Sequence, residues 1–239
     1  VHELIPVRPV VHYVMGGVHT NIEGETPLPG LLAAGECACV SINGANRLGS
    51  NSLTELLVFG ARAARAAVRF SAQTGTLATA ELLAQADQEQ QRIRKQFFEP
   101  SGGTETIAQI RLELTEAMED GAGIYRTADS LKATCDQIRQ LKERFANVEL
   151  ADHSLTFNTE LTTALELEYM LDVAEALAHS ASARTESRGS HQRTDYPERD
   201  DERFLKHSLA YQTDGDPRID YLDVVITRWP PGERHYGSK

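Results

Sequence analysis

Cysteine is scarce in this sequence of 239 residues, and long hydrophobic runs are absent. The three cysteines, Cys37, Cys39 and Cys135, form an odd and sparse set. Such a set does not make a disulfide framework, so it indicates a reducing compartment. Cys37 and Cys39 lack a second ligand pair at zinc or iron–sulfur spacing, so we predict no metal site. No apolar stretch approaches the roughly 20 residues needed to span a bilayer, so membrane attachment would require a partner.

Positive charge is also in the minority. The chain has 24 Lys and Arg against 35 Asp and Glu, a net charge of −11. This balance argues against nucleic acid or an anionic membrane as the main partner. No GxGxxG turn follows a predicted strand, so the main phosphate-binding turn of a dinucleotide-type cofactor is absent from this chain. The first residues show no signal peptide or targeting pattern.

The stretch from Gly30 to Gly60 carries the most informative local pattern. We predict a strand at Leu31–Ala34, then the acidic Glu36, a loop of small residues with the lone Arg47, and an amphipathic helix. This order is a plausible way to build a nucleotide or flavin site. Ligands bind at strand ends in α/β folds, and a helix N-terminus offers unpaired N–H groups.

The remaining pattern predicts a mixed α+β chain. Proline and glycine punctuation indicates short strands before residue 35, one of them at Val10–Met15. Helices are predicted at 52–73 and 80–98, with a helical bundle at 104–185 in which Thr127 caps one helix. The tail from Leu209 to Trp229 is predicted to be a β-hairpin.

Two helices have apolar stripes that predict which face is buried. The stripe of helix 52–73 is rich in Gly and Ala and is expected to pack against a sheet; it comprises Leu53, Leu56, Leu57, Gly60, Ala61, Ala64, Ala67 and Val68. The stripe of the last bundle helix, from Phe157 to about Arg184, comprises Leu161, Leu165, Tyr169, Val173, Ala176 and Leu177. The stripe of this bundle helix is interpreted as core rather than as cofactor contacts, because every bundle helix needs an apolar face.

Residues 184–207 form a dense segment of alternating charge, with Gly189 and Pro197 as breakers. The composition fits a solvated surface loop. It fits equally well a salt-bridged interface between subdomains, because the charges alternate in sign around His191 and Tyr196.

Four blocks make the chain resemble the flavoprotein subunit of the fumarate reductase and succinate dehydrogenase family: His12–Gly17 (HYVMGG); Gly35–Glu36 with Gly44–Leu53 (GANRLGSNSL); Gly123–Arg126 (GIYR); and Glu186–Asp201. The resemblance covers essentially the whole chain, although the family's flavoprotein is substantially longer. It implies the C-terminal part of an FAD-binding α/β domain at 1–75. A helical bundle domain at 76–183 and a small C-terminal β-hairpin domain at 184–239 would follow.

The resemblance also assigns site residues. His12 and Arg47 stand where the family binds the carboxylates of a C4 dicarboxylate, and a planar guanidinium matches a carboxylate. Glu36, Ser52 and Leu53 stand at FAD contacts, the last two at a helix N-terminus that favours negative charge. From residue type alone, His12 could equally be a packed or surface histidine. Arg47 could form a loop salt bridge, and Glu36 could cap a turn.

By resemblance, the activity is the interconversion of fumarate and succinate by hydride transfer with FAD. The implied partners are an iron–sulfur subunit and membrane anchor subunits that hold the protein at the cytoplasmic face of the membrane. Sequence details such as Gly49–Ser52 favour fumarate reductase over succinate dehydrogenase. Two further hypotheses are L-aspartate oxidase, a relative that shares the GANR-type block, and a non-catalytic module that docks an electron-transfer protein.

The first prediction concerns the chain by itself. In the family, the FAD-phosphate turn, the flavin-attachment histidine, the capping domain and the proton-transferring arginine all precede the position of Val1. No residue of this chain is therefore assigned a proton-transfer role, and we expect the purified 239 residues neither to hold FAD tightly nor to catalyse. Flavin absorbance after gel filtration and a fumarate-reduction assay measure this. Stoichiometric flavin with turnover would contradict the prediction.

Overall fold

The computed structural model describes residues 4–7, 11–75, 79–99 and 102–232. The chain divides into two compact units, Val1–Arg92 and Ile93–Lys239. Helices dominate, and the strands of the described residues form three two-stranded sheets, so the predicted mixture of helix and sheet is confirmed. Within the same residues, no helix is both long enough and apolar enough to cross a membrane.

The first unit begins with two very short strands. Its elements are β1 (Val18–His19), β2 (Ala38–Cys39), α1 (Asn51–Gln73) and, up to the unit boundary, α2 (Thr79–Phe97). The two strands are parallel, and Val18 lies opposite Ala38. Both helices begin within one residue of the predicted positions, because their apolar periodicity is long and uninterrupted.

The two strands predicted from sequence in this unit are wrong. Residues 11–15 have no regular structure, and Val10 lies outside the described residues. The amide of Val14 donates to the Glu36 side chain (3.0 Å) instead of to a neighbouring strand. The Leu31–Ala34 run makes only one isolated bridge, between Leu32 and Glu25, because turns with positive φ at Gly30 and Gly35 close it at both ends.

The predicted burial of the α1 stripe is also wrong. Its large members are exposed in this structure, for example Leu57 (77%) and Val68 (70%), whereas the buried side chains of α1 are Glu55 and Ala66. Periodicity identifies an apolar face but not the surface that covers it. In the first unit, α1 contacts a turn and not a broad sheet. Arg62 of α1 donates from Nε to the carbonyl of Ile22 in this turn (2.7 Å).

The second unit is built on three packed helices followed by a hairpin. Its elements are α3 (Ile107–Ala122), β3 (Tyr125–Arg126), α4 (Ala128–Phe145), α5 (Thr159–Ala183), β4 (Gln192–Arg193), α6 (Asp201–Phe204), β5 (Lys206–Tyr211) and β6 (Arg218–Asp223). Thr127 caps α4 as predicted, in a reciprocal capping box with Ser130. The predicted hairpin is present as antiparallel β5 and β6, although it begins three residues earlier and ends at Asp223.

The buried face of α5 differs from the predicted stripe. The predicted Tyr169 and Val173 are exposed (61% and 63%), whereas Leu167 and Leu171 are fully buried in the core. The apolar residues of α5 are distributed around nearly all sides of the helix, so a three- and four-residue spacing fits more than one of its faces. The packing of α3 and α4 against α5, which sequence spacing does not contain, selects the face.

The charged segment after α5 is not a solvated loop. Glu186 is completely buried, and its carboxylate contacts Arg184 (2.6 Å) and Arg188 (2.8 Å). Arg193 is 2% exposed and bonds both oxygens of Asp195, and these hydrogen bonds hold the pKa of Asp195 well below its usual range. The solvated-loop interpretation is therefore wrong: the charges pair with one another inside the segment. It contacts the hairpin through a hydrogen bond from Arg184 to the Lys206 carbonyl.

His191 lies inside this charged segment in a neutral form. Its Nδ1 accepts from Arg126 (2.8 Å), and its Nε2 lies 3.1 Å from the Arg184 carbonyl oxygen, to which it donates. One ring nitrogen therefore accepts and the other donates, which is the pattern of an uncharged imidazole. Burial, together with the nearby arginines, lowers the pKa of His191 to about 4.

This geometry predicts a pH-dependent stability. The folded pKa lies below the unfolded value of about 6.5, so the unfolded chain takes up a proton first as pH falls. The contribution of neutral His191 to the free energy of unfolding is fully present above pH 6.5. It is lost as the pH falls to 4, and the total loss is on the order of 3 kcal/mol. Urea unfolding between pH 7 and 4 measures it.

The matched variant for this prediction is His191→Gln, which can still accept from Arg126 and donate to the Arg184 carbonyl. It should flatten the pH dependence of the free energy of unfolding between pH 6.5 and 4. His153→Gln, at an exposed histidine, should leave the dependence unchanged. An unaltered slope in His191→Gln would show that another group is responsible.

Candidate functional site

The five residues assigned from sequence all lie in the first unit, on three segments. His12 belongs to residues 11–17, which lead into β1; Glu36 precedes β2; Arg47 lies in the loop between β2 and α1. Ser52 and Leu53 lie in the first turn of α1. Contacts made by Glu36, Arg47 and the helix itself bring these segments together.

Glu36 connects the first segment to the second. Its Oε1 accepts the Val14 amide at 3.0 Å, two residues beyond His12, and the side chain is exposed. No hydrogen bond is made by its Oε2 within the described ranges. Glu36 can therefore shape the 11–17 segment with one oxygen and accept a hydrogen bond from a ligand hydroxyl with the other.

Arg47 lies against the aromatic ring of Tyr13. The guanidinium carbon is 4.5 Å from the ring centroid, a cation–π contact, and Nη1 donates to the Leu48 carbonyl (3.0 Å). Its Nε is buried and makes no hydrogen bond with the described part of the chain. An unsatisfied buried donor is costly, so this arginine is suited to an acceptor that the described residues do not provide.

His12 is exposed and precedes Tyr13 directly in the chain. Among the described residues it makes no ion pair or hydrogen bond, so the interpretation of His12 as a packed histidine does not hold. The contact between Tyr13 and Arg47 brings the backbone of the His12 segment beside the Arg47 loop. The loop salt bridge considered for Arg47 is also not formed with any described carboxylate.

The start of α1 fits the expected site for a negatively charged group. Ser50 occupies the N-cap position with φ +66° and gives no side-chain cap, and the first turn contains no acidic residue. The main-chain N–H groups at Ser52 and Leu53 and the positive end of the helix dipole are therefore not neutralised locally.

Sequence reasoning missed the residue that ties these segments together. Glu55 in α1 is 1% exposed, and its Oε2 accepts from Tyr13 Oη (3.1 Å) and from Asn43 Nδ2 (2.7 Å). Burial, followed by the hydrogen bond to Glu55, raises the pKa of Tyr13. The available signal was a single carboxylate within the otherwise apolar run that follows Leu53.

These residues fit a site for FAD and an anionic ligand. The loop before α1 holds two buried atoms without a described partner, the donor Arg47 Nε and the acceptor Asn43 Oδ1. The uncapped start of α1 follows this loop, and the exposed carboxylate of Glu36 precedes β2. A cation, a helix N-terminus and a hydroxyl acceptor are the groups that a flavin nucleotide and an anionic substrate require.

Such a site fits a flavin-nucleotide protein, and matches to known families place the chain in that class. Residues 1–53 match the FAD binding domain family, and residues 111–236 match the family described as fumarate reductase flavoprotein C-term. The second match spans more than half of the sequence. The chain belongs to the fumarate reductase flavoprotein family.

Named relatives support this placement. The chain is 57% identical over 239 residues to a fumarate reductase flavoprotein subunit of Mycobacterium tuberculosis, covering 98% of this chain and 41% of the relative. It is 38% identical over 261 residues to a mitochondrial succinate dehydrogenase flavoprotein subunit of Oryza sativa, covering 98% and 39%. The chain therefore spans about two fifths of the length of these relatives.

The fold is likewise that of a solved relative. A structure of E. coli quinol fumarate reductase superposes with a TM-score of 0.91 at 48% identity, covering 97% of this chain and 40% of that chain. At this identity and TM-score, the two chains share the path of the backbone over nearly the whole of this sequence.

The close approach of Gly17 to β2 yields a prediction for this site. A Cβ at Gly17 would lie 2.4 Å from the Cys37 carbonyl oxygen, whereas a Cβ at Gly16 meets nothing within 4 Å. Both glycines have φ near +120°, so Ala at either costs roughly 1–3 kcal/mol in backbone strain. Gly17→Ala should cost more, because it also pushes residues 11–17 away from β2.

Thermal unfolding of the Gly16→Ala and Gly17→Ala variants measures this difference, with Gly16→Ala as the control for backbone strain alone. The expected result is a lower midpoint for Gly17→Ala. Equal midpoints would mean that the Cys37 contact does not fix the path of this segment.

Proposed function

We propose that this chain forms the C-terminal part of the flavoprotein subunit of a fumarate reductase, which interconverts fumarate and succinate with FAD. The observation that carries the proposal is Arg47, held on the Tyr13 ring with a buried Nε that lacks an acceptor among the described residues. It lies within the residues that match an FAD binding domain. An always charged guanidinium with a buried Nε, beside a flavin site, suits a substrate carboxylate.

Each assigned residue has a distinct role in the proposal. Arg47 binds and orients one carboxylate of the dicarboxylate, and His12 adds a hydrogen bond to it. Glu36 accepts from the cofactor's hydroxyls, and the N–H groups at Ser52 and Leu53 face negative charge on it. When bound, FAD supplies hydride exchange with the carbon–carbon double bond of the substrate. Arg47 and His12 would fix that bond in place, which lowers the entropic part of the barrier.

The domain division belongs to the same proposal. Residues 1–75 are the end of the FAD-binding domain, 76–183 the helical bundle domain, and 184–239 the small C-terminal domain with its hairpin. The match of residues 1–53 to an FAD binding domain supports the first. The packing of α3, α4 and α5 around one core and the pairing of β5 with β6 support the other two.

The name of a structural neighbour supports the proposed partners. That neighbour is described as quinol-fumarate reductase with menaquinol molecules. We propose that this chain's protein exchanges electrons with an iron–sulfur subunit and is held by membrane anchor subunits at the cytoplasmic face of the membrane.

Succinate dehydrogenase is the second candidate, because a relative with that name matches at 38% identity. The higher identity to fumarate reductases, 57% in one case, favours the first. The complete complex assayed with low- and high-potential quinones separates the two. Faster fumarate reduction with the low-potential quinol supports fumarate reductase, and faster succinate oxidation with the high-potential quinone supports the dehydrogenase.

The decisive variants are Arg47→Ala and Arg47→Lys in the complete enzyme. Two charge-assisted hydrogen bonds are worth about 3–6 kcal/mol, so Arg47→Ala should lower kcat/KM for fumarate by roughly 10²–10⁴-fold. Arg47→Lys should recover only part of this, because an ammonium lacks the planar fork. Steady-state kinetics, with flavin content and subunit assembly measured in parallel, gives the answer.

Arg65→Ala is the matched control, since Arg65 is an exposed arginine on α1. It should leave kcat/KM unchanged. Normal turnover by Arg47→Ala would refute the substrate-binding role and favour a non-catalytic module that docks an electron-transfer protein.

A further inference from the structure

Glu55 is the one acidic side chain among the described residues of the first unit that is fully buried, at 1% exposure. A carboxylate out of water is unfavourable by several kcal/mol unless hydrogen-bond donors replace its hydration. Both donors here, Tyr13 Oη and Asn43 Nδ2, converge on the same oxygen, Oε2. This oxygen is thus satisfied by neutral groups from outside its own helix.

The two donors come from the two segments that carry the proposed substrate ligands. Tyr13 is the neighbour of His12, and Asn43 opens the loop that contains Arg47. Glu55 itself lies one turn after Ser52, at the start of α1. One buried oxygen therefore joins the His12 segment, the Arg47 loop and the helix start proposed to contact FAD.

Tyr13 transmits this anchoring to Arg47. The guanidinium carbon lies 4.5 Å from the ring centroid, and the hydroxyl on the rim of the same ring donates to Glu55 (3.1 Å). A cation–π contact requires the face of the ring to stay beneath the cation. Because the hydroxyl is part of the same rigid side chain, fixing it also fixes the Tyr13 ring under the guanidinium. Burial and the hydrogen bond to Glu55 raise the pKa of Tyr13, in keeping with a protonated phenol that donates to the carboxylate.

We propose that Glu55 is a positioning residue for dicarboxylate binding: it fixes Tyr13 and Asn43, and through the Tyr13 ring it orients the guanidinium of Arg47. This rests on the proposed function, in which Arg47 binds a substrate carboxylate. Glu55 makes no contact with the substrate in this scheme. Its effect on affinity passes through hydrogen bonds that are internal to the chain.

The test is a double-mutant cycle in the complete, FAD-loaded enzyme complex. Glu55→Gln keeps the side chain's shape but removes the charge that strengthens both hydrogen bonds, and Tyr13→Phe keeps the ring but removes the hydroxyl. Each should raise KM for fumarate about tenfold, as expected for loss of roughly one charge-assisted hydrogen bond. The Kd of succinate, measured from the flavin absorbance change, should rise in parallel without turnover.

The double variant decides whether the two residues act as one unit. If Glu55 acts through Tyr13, the double variant should bind succinate about as weakly as the weaker single variant, because both remove the same interaction. A merely structural role would lower the thermal midpoint but leave succinate Kd and KM at wild-type values. Glu81→Gln, at an exposed position in the first turn of α2, is the control and should change neither.

The outcomes separate this inference from the proposed function. Wild-type succinate affinity in Glu55→Gln, or a double variant whose loss is the product of the two single losses, overturns the role of Glu55 while the enzyme still reduces fumarate. A wild-type complex without fumarate or succinate turnover overturns both. If Glu55→Gln fails to fold, Tyr13→Phe alone still tests the role of Glu55. Unchanged succinate affinity in Tyr13→Phe would refute the proposal that the hydrogen bond between Tyr13 and Glu55 orients Arg47.

Discussion

The need to pair a carboxylate that has left water shapes both units of this chain. Within the described residues, each unit has one fully buried glutamate, Glu55 in the first and Glu186 in the second. Each is surrounded by stretches with little regular secondary structure. Because an unpaired buried charge would cost several kcal/mol, a large part of a domain's typical margin of stability, the path of these stretches follows from where their donors must lie.

The two carboxylates are paired differently, and the difference matters for function. Glu186 is paired with the cations Arg184 and Arg188, which neutralise its charge inside a structural network. Glu55 is paired with neutral donors, and the Tyr13 ring lies between it and Arg47. The ring attracts the guanidinium through its π-face without neutralising it, so Arg47 is held in place while its charge remains available to an anion.

The sequence predicted the elements that depend on local interactions and failed where tertiary contacts decide. Thr127 and the limits of α1 and α2 follow from capping chemistry and periodicity, which act within a few residues. The buried face of α5 and the two-residue strand Ala38–Cys39 do not, because distant segments select them. The sequence blocks assigned Arg47, but Glu55 is hidden from such reasoning, since its donors lie 12 and 42 positions away.

The two unpaired atoms of the Arg47 loop constrain what can complete the site. Arg47 Nε is a donor, and a dicarboxylate can satisfy it, but Asn43 Oδ1 is an acceptor, and a dicarboxylate cannot. The orientation of the Asn43 amide is not arbitrary, because its Nδ2 donates to a carboxylate that can only accept. A buried group left unpaired costs about 1–3 kcal/mol, so the loop requires a second group that donates. The carboxylates of an anionic substrate therefore do not satisfy this acceptor, which needs an O–H or N–H donor from water, a cofactor or a further protein group beside it.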